Sequence, residues 1–522
     1  MCAGREGDSF ASCSVDAKNA ATTALATLAA YANGDVDSEV SDSFHDAKLA
    51  TALVDCGAVE AFRDAAGDDA ASPVRVAHAC LGVSHAARAA SLIRDLRLGG
   101  AAATLVERDV IPALVAALDP ARAGTLAFSK KNSDTIHDLS LAARAHIARD
   151  VAKTLRRPFS VPLPPIGTPA SSAAEASLRR YQEVLLSEAA VVSLVQALED
   201  ALDEDARGGE GMQMTSELMV LNTGRLDTDA DGDESSFASA PVSLLSQLVL
   251  RSASYASQFI EAGGLSFELT KSLLDANKNS TQVLVDSLLL ISQIARLGAD
   301  RYSHIKQSGA CQLTVNLLNH DDAGVRARAC NVLGNMCRHS SYFYEQFKET
   351  RVIDYLTERC FDSDKTTRKF ACFALGNAGF HSDYLYGDLK IAVKPLVHLL
   401  KDCEEKTKAN AAAALGNVVR NSSVLCQELV AEHALEALVD LATGNVSDNV
   451  GQGQQQETAG QSPVKIALFS LGNLCTHLLC RERLLSLQLE RKIEQLALRP
   501  DADASVKKYV ARIQGKIALS KR

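Results

Sequence analysis

One tripeptide recurs at near-constant spacing, and it limits what the chain can fold into more than any other feature. Leu-Gly-Asn occurs at Leu333-Gly334-Asn335, Leu375-Gly376-Asn377, Leu415-Gly416-Asn417 and Leu471-Gly472-Asn473, with intervals of 42, 40 and 56 residues. A diverged copy, Ile291-Ser292-Gln293, lies 42 residues before the first. The long interval contains a Gln/Gly-rich stretch, Gly451 to Gln461. Without it the spacing returns to about 45 residues, within the range of helical solenoid repeats. Every copy sits deep in an apolar helical pattern, where a glycine costs about 0.5–1 kcal/mol relative to alanine. Its recurrence implies that a neighbouring helix approaches closely at that point.

Each period resolves into three helices. In the copy starting at Ser382, a short helix is expected over about Asp383 to Leu389. A second covers Ala392 to Leu400, and a third runs from Lys408 to Arg420. The next copy repeats the scheme over Ser423 to Ala431, Ala434 to Leu441 and Val464 to His477. Asp321, Asp322, Asp364, Glu404 and Glu405 stand at third-helix starts, where carboxylates accept from unpaired backbone N–H groups. A single repeat exposes too much apolar surface to fold alone, so neighbours must cover it. The fold class implied is all-α, an armadillo-like right-handed superhelix of three-helix repeats. This array spans residues 241–522 and ends in a capping helix that carries Val506, Val510, Ile513 and Ile517 at helical spacing.

The preceding chain divides on composition. Residues 1–155 are Ala-rich with helical periodicity, as expected for degenerate repeats of the armadillo or HEAT kind; Pro112 stands near a helix start, where its missing N–H is harmless. Residues 156–240 form a linker. It opens with Pro158, Pro162, Pro164, Pro165 and Pro169, continues with one helix from about Ala173 to Leu202, and then turns acidic and Gly-rich. Hydrophobic residues are 47% of the chain and aromatics 5%, with no Trp, which suits closely packed helices. The formal charge of −10 argues against a chain-wide nucleic-acid surface. None of the 13 cysteines forms a C-x-x-C pair; Cys330, Cys337, Cys372, Cys426 and Cys475 fall in apolar helical patterns and read as buried free thiols. The first residues lack a secretory core, and no stretch of about 18 apolar residues offers a membrane span. The expected location is cytoplasmic.

Three strings carry a resemblance to a known family. RKFACFALGNAGFHSDYLY (Arg368 to Tyr386), KTKANAAAALGNVVRNSSVLC (Lys406 to Cys426) and KIALFSLGNLCTHLLCR (Lys465 to Arg481) resemble the C-terminal repeats of the Fused family of serine/threonine kinases, which includes the plant two-in-one kinase. That resemblance implies a protein-interaction scaffold docking kinesins, other cytoskeletal proteins or signalling partners, in cytokinesis or at cilia. The chain itself has no G-x-G-x-x-G, H-R-D or D-F-G motif, so no phosphoryl transfer is expected of it. Ala148-Arg149-Asp150 resembles the H-R-D of a kinase catalytic loop, with Ala in place of His and without the following Asn. Two alternatives stand beside the scaffold. The chain is part of a kinase whose catalytic domain lies elsewhere, or it is an importin-alpha-like transport adaptor.

The candidate partner-binding residues follow from the repeat. Asn335, Asn377, Asn417 and Asn473 form one amide per repeat, each offering a donor and an acceptor. In armadillo proteins such as importin-α, similarly placed Asn residues line a concave groove and bond an extended peptide. The competing assignment is that they hold repeats in register. The Trp that importin-type recognition needs four residues earlier is replaced by Asn331, Phe373, Ala413 and Phe469. Arg338 and Arg420 follow their Asn by three residues, and with Lys408, Lys406 and Arg368 offer a basic groove for an acidic segment. Asp227 to Asp233 matches half of a calcium loop, but Ala238 stands where a bidentate Glu is required, so an acidic linker is the expectation. The basic C-terminal stretch, with Lys507, Lys508, Arg512, Lys516, Lys521 and Arg522, is read as the polar outside of the capping helix. No cofactor or metal site is expected.

Overall fold

The computed structural model describes residues 22, 25–26, 57–68, 73–92, 100–119, 133–160, 169–207, 236–444, 462–500 and 503–519. The calcium-like stretch Asp227 to Asp233, most of the acidic linker, the Gly451 to Gln461 insertion, and Lys521 and Arg522 lie outside them. All regular structure among the described residues is helical. The chain divides into two compact units, residues 1–290 and 291–522.

In the first unit, α1 (Ala58–Gly67) and α2 (Pro73–Leu92) precede the shorter α3 (Gly100–Glu107) and α4 (Val110–Ala117). The 28-residue α5 (Ser133–Ser160) packs against α2, against α7 (Ala190–Arg207) and against α8 (Ser239–Arg251). Pro158 falls in its last turn and does not end it earlier. Where one helix is expected between residues 173 and 202, there are two, α6 (Pro169–Ser187) and α7. They part at Ala189, whose φ of 51° no helix continues through. Ala148-Arg149-Asp150 lies in the middle of α5 with Arg149 and Asp150 buried and paired at 3.0 Å, so this tripeptide is packing, not a catalytic loop. The helices α9 (Ala253–Glu261) and α10 (Phe267–Leu273) follow, and α11 (Thr281–Leu297) crosses the division between the units.

The second unit repeats a short, a medium and a long helix. α12 (Tyr302–Gln307), α13 (Ala310–Asn316) and α14 (Ala323–Met336) make one set. α15 (Tyr344–Glu349), α16 (Val352–Arg359) and α17 (Lys365–Ala378) make the next. Then come α18 (Tyr386–Leu389), α19 (Val393–Leu399) and α20 (Glu405–Asn417), followed by α21 (Cys426–Ala431), α22 (Ala434–Thr443) and α23 (Pro463–Leu474). α24 (Leu478–Ser486), α25 (Leu489–Ala497) and α26 (Ala504–Leu519) complete the unit. The third helices form a row in which α14 packs on α17, α17 on α20, α20 on α23 and α23 on α26. Asp322 and Asp364 cap α14 and α17 by accepting from the Val325 and Thr367 N–H groups at 3.0 and 2.6 Å. Glu404 instead accepts from the Thr407 hydroxyl at 2.7 Å. The five cysteines expected as buried thiols are buried and free, and burial raises the Cys475 pKa to about 11.

First and second helices join through a left-handed residue, which is Gly309 in one repeat but Arg351, His433 and Gln488 in others. A side chain there costs roughly 1 kcal/mol, which glycine avoids. The His433 side chain is largely exposed. Replacing His433 with Gly is therefore expected to stabilise this unit by about 1 kcal/mol, read as a higher urea midpoint by circular dichroism.

Candidate functional site

The row of third helices carries the candidate residues, and what each can do depends on which of its atoms bind the neighbouring repeat. Asn377 Nδ2 donates to the Gly334 carbonyl at 2.8 Å, Asn417 Nδ2 to the Gly376 carbonyl at 3.0 Å, and Asn473 Nδ2 to the Gly416 carbonyl at 3.2 Å. Asn335, at the start of the row, donates to the Ser292 hydroxyl at 2.8 Å. Asn377, Asn417 and Asn473 thus each reach the glycine of the repeat before, and Asn335 reaches the serine that stands at that position in the diverged copy. Asn335 and Asn473 are buried, whereas Asn377 and Asn417 are half-buried, with Oδ1 as the atom not engaged in this ladder.

The glycines earn their recurrence through the same contacts. A Cβ at Gly334 would lie 2.5 Å from the Phe373 ring, and one at Gly376 would lie 3.3 Å from the Ala414 Cα. At Gly416 the conflict is with backbone, because the Ser470 Cα would be 2.8 Å away. Gly472 differs: its nearest neighbour would be Ile513 at 3.7 Å, an ordinary contact.

Two further ladders run beside the first. Four residues after each Asn, His339, His381, Asn421 and His477 use a side-chain nitrogen to bond the carbonyls of Arg296, Arg338, Phe380 and Val419 in the preceding repeat. Tyr302, Tyr344 and Tyr386 donate their hydroxyls to the carbonyls of Asn335, Asn377 and Asn417 at 2.7–2.9 Å. Burial raises the Tyr302 pKa to about 12, which keeps that hydroxyl protonated as a donor. Sequence reasoning missed both sets, although the tyrosines are spaced 42 and 42 residues apart.

The cations separate into two groups. Arg326 pairs with Asp362 through Nε at 2.8 Å and Nη2 at 2.9 Å, and Arg368 pairs with Asp402 at 2.7 Å. Their remaining nitrogens bond loop carbonyls at His320 and Asp321, and at Asp362 and Ser363. Arg368 therefore joins two repeats. Lys408 pairs with Glu405 at 2.6 Å, and Lys406 is exposed. Arg338 and Arg420, by contrast, are exposed at the ends of their third helices, and the Arg420 guanidinium lies 4.1 Å over the Phe380 ring.

At the C-terminal end the stripe Val506, Val510, Ile513 and Ile517 is buried, and α26 packs on α23. Lys516 Nζ donates to the Gly472 carbonyl at 2.6 Å and to the Thr476 hydroxyl at 2.7 Å. It occupies the place that the next Asn would take. Burial, with Arg512 beside it, lowers its pKa from the ordinary lysine value. Arg512 donates to Asn473 Oδ1 at 3.0 Å and lies over Phe469 at 4.6 Å. Among the described residues no three His, Cys, Asp or Glu side chains group as metal ligands, and no helix is long and apolar enough to cross a membrane.

Comparison with known proteins places this arrangement. A family model describing HEAT repeats matches residues 311–416. Serine/threonine-protein kinase TIO of Arabidopsis thaliana is 40% identical over 261 residues, covering 47% of this chain and 20% of that protein. Serine/threonine-protein kinase 36 of Pongo abelii is 29% identical over 256 residues, covering 45% of this chain and 19% of that protein. The chain thus spans about a fifth of the length of these curated relatives. An engineered protein of known crystal structure shares the fold, with a TM-score of 0.64 at 17% identity over 97% of this chain and 96% of its own. The chain is an all-α helical-repeat protein similar, over a little under half its length, to Fused-type kinases.

Proposed function

We propose that this chain is a protein-docking scaffold whose row of third helices, from α14 to α23, receives an extended segment of a partner. The observation that carries this reading is the column at the helix ends, Arg338, Phe380 and Arg420, which recurs at repeat spacing and keeps both arginines exposed, whereas the Asn and Tyr columns beside it are spent on bonds from repeat to repeat. In this reading Asn377 and Asn417 keep the repeats in register through Nδ2 and offer Oδ1 to backbone N–H groups of the bound segment. Asn335 and Asn473 serve the register, and Lys408 supports the rim through Glu405. The similarity to Fused-type kinases supports a regulatory-tail role beside a catalytic domain, with cytoskeletal partners such as kinesins, or signalling proteins, in cytokinesis or ciliary processes. The cytoplasm is where such partners reside.

A peptide-display selection on the full chain tests the docking reading. Enriched peptides are expected to lose at least fivefold in affinity on the Arg338→Ala/Arg420→Ala variant. Peptides that bind this variant and the parent equally would move the site off the third-helix row.

A further inference from the structure

The docking reading leaves the partner's chemistry open, and the charge pattern of the row narrows it. The positions seven and four residues before each Asn, the Asn itself and the position three residues after it form one stripe. In the four Leu-Gly-Asn repeats this stripe holds no Asp or Glu, yet it carries Arg328, Arg338 and Arg420, and Arg512 extends it on α26. The chain as a whole is acidic, with a formal charge of −10, so the stripe opposes the average. Three arginines outside the stripe are held by carboxylates, Arg326 by Asp362, Arg368 by Asp402 and Arg483 by Glu436. Between the arginines the stripe is aromatic, with Phe373 and Phe380 half-buried. The Arg420 guanidinium lies 4.1 Å over the Phe380 ring and its side chain is exposed; a guanidinium held on a ring face can still donate from its edge N–H groups.

Resting on the docking reading, we infer that the occupant of this stripe is an acidic, extended polypeptide segment with a bulky apolar residue between its carboxylates. A guanidinium matches a carboxylate with two parallel hydrogen bonds, which a lysine cannot do. The apolar residue rests on Phe373 and Phe380. Third helices in contact lie ~10 Å apart, so Arg338 and Arg420, two repeats apart, stand ~20 Å from each other. An extended chain advances ~3.3 Å per residue, which puts the two carboxylates about six residues apart.

Fluorescence anisotropy with the full chain tests this. The probes are a labelled 14-residue peptide with carboxylates six residues apart around a central Phe, the same peptide with Gln for each acid, the same peptide with Lys for each acid, and a thymidine 15-mer. The acidic peptide is expected to bind at least tenfold tighter than the Gln and Lys forms, and to weaken with salt. Arg338→Glu/Arg420→Glu is expected to lose at least tenfold for the acidic peptide, with its helical circular dichroism unchanged. Lys306→Glu/Lys348→Glu carries the same charge change on first helices and is expected to bind the acidic peptide as the parent does. Equal binding of acidic and Gln peptides, alongside display-selected neutral or basic peptides that still require Arg338 and Arg420, would overturn the inference and leave docking intact. Displacement of the acidic peptide by the thymidine 15-mer at equal concentration would overturn it in favour of nucleic acid. Loss of binding equally in both charge variants would also overturn it, because it would show a diffuse field and not the stripe.

Discussion

Gly416→Ala is expected to destabilise the second unit by about 2–3 kcal/mol, whereas Gly472→Ala is expected to be neutral or to stabilise it by up to about 1 kcal/mol. Both glycines sit in third helices, at the same place in the repeat. Alanine is the better helix former by about 0.8–1 kcal/mol, and this gain is available at both sites. At Gly416 the added methyl meets the Ser470 Cα at 2.8 Å and its hydroxyl at 2.3 Å, so α20 and α23 must separate. Separation weakens the Asn473–Gly416 bond and the buried Ser470 hydroxyl bond to the Ala412 carbonyl at 2.7 Å. Overpacking of this kind costs about 1–3 kcal/mol, and an orphaned buried polar group adds about 1–3 kcal/mol. At Gly472 the methyl meets Ile513 at ordinary contact distance. Hydrogen exchange of α20 and α23 amides in the full chain checks the pair; equal protection in the two variants would refute close approach as the reason for the glycine.

The second large effect concerns the Asp362 carboxylate. Its side chain is 4% exposed and accepts two bonds from Arg326 and one from the Asp364 N–H at 3.0 Å, with Arg359 at 3.6 Å. Asp362→Ala leaves Arg326 without its carboxylate and Arg359 with Glu358 alone, and is expected to cost about 3 kcal/mol, in the range for breaking a buried pair. Burial by itself would raise the pKa of Asp362, but the bonds from Arg326 and the Asp364 amide, with the attraction of Arg326 and Arg359, hold it below the ordinary carboxylate value. Asp402 is held low in the same way by Arg368. A carboxylate with a depressed folded pKa contributes its full stability above the unfolded value, about pH 4, and loses it as pH falls through the folded value. Urea midpoints of the parent are therefore expected to drop steeply below pH 4, and those of Asp362→Asn to drop less. Parallel slopes would show that the pair contributes nothing to acid sensitivity.

These contacts also show where the sequence was readable. Leu-Gly-Asn was visible because all three positions are constrained at once, by core packing at Leu, by the neighbouring helix at Gly and by the amide ladder at Asn. The column four residues later was hidden because His and Asn both satisfy it; a ring nitrogen and an amide nitrogen reach the same carbonyl. The tyrosine column was hidden because its residues lie in short helices with little periodicity of their own. Arg368 looked like a groove cation because its charge was legible while its partner, Asp402, is 34 residues away. The break at Ala189 had no glycine or proline to announce it.

Lys516 shows that the acceptor each Leu-Gly-Asn helix offers does not require an amide to answer it. The Gly472 carbonyl is met by an ammonium, and an ammonium offers donors only. Asn377 and Asn417 each keep an oxygen outside the ladder, whereas α26 brings no acceptor to the same position, so the alternation of donor and acceptor that runs from α14 to α23 is not carried on by α26.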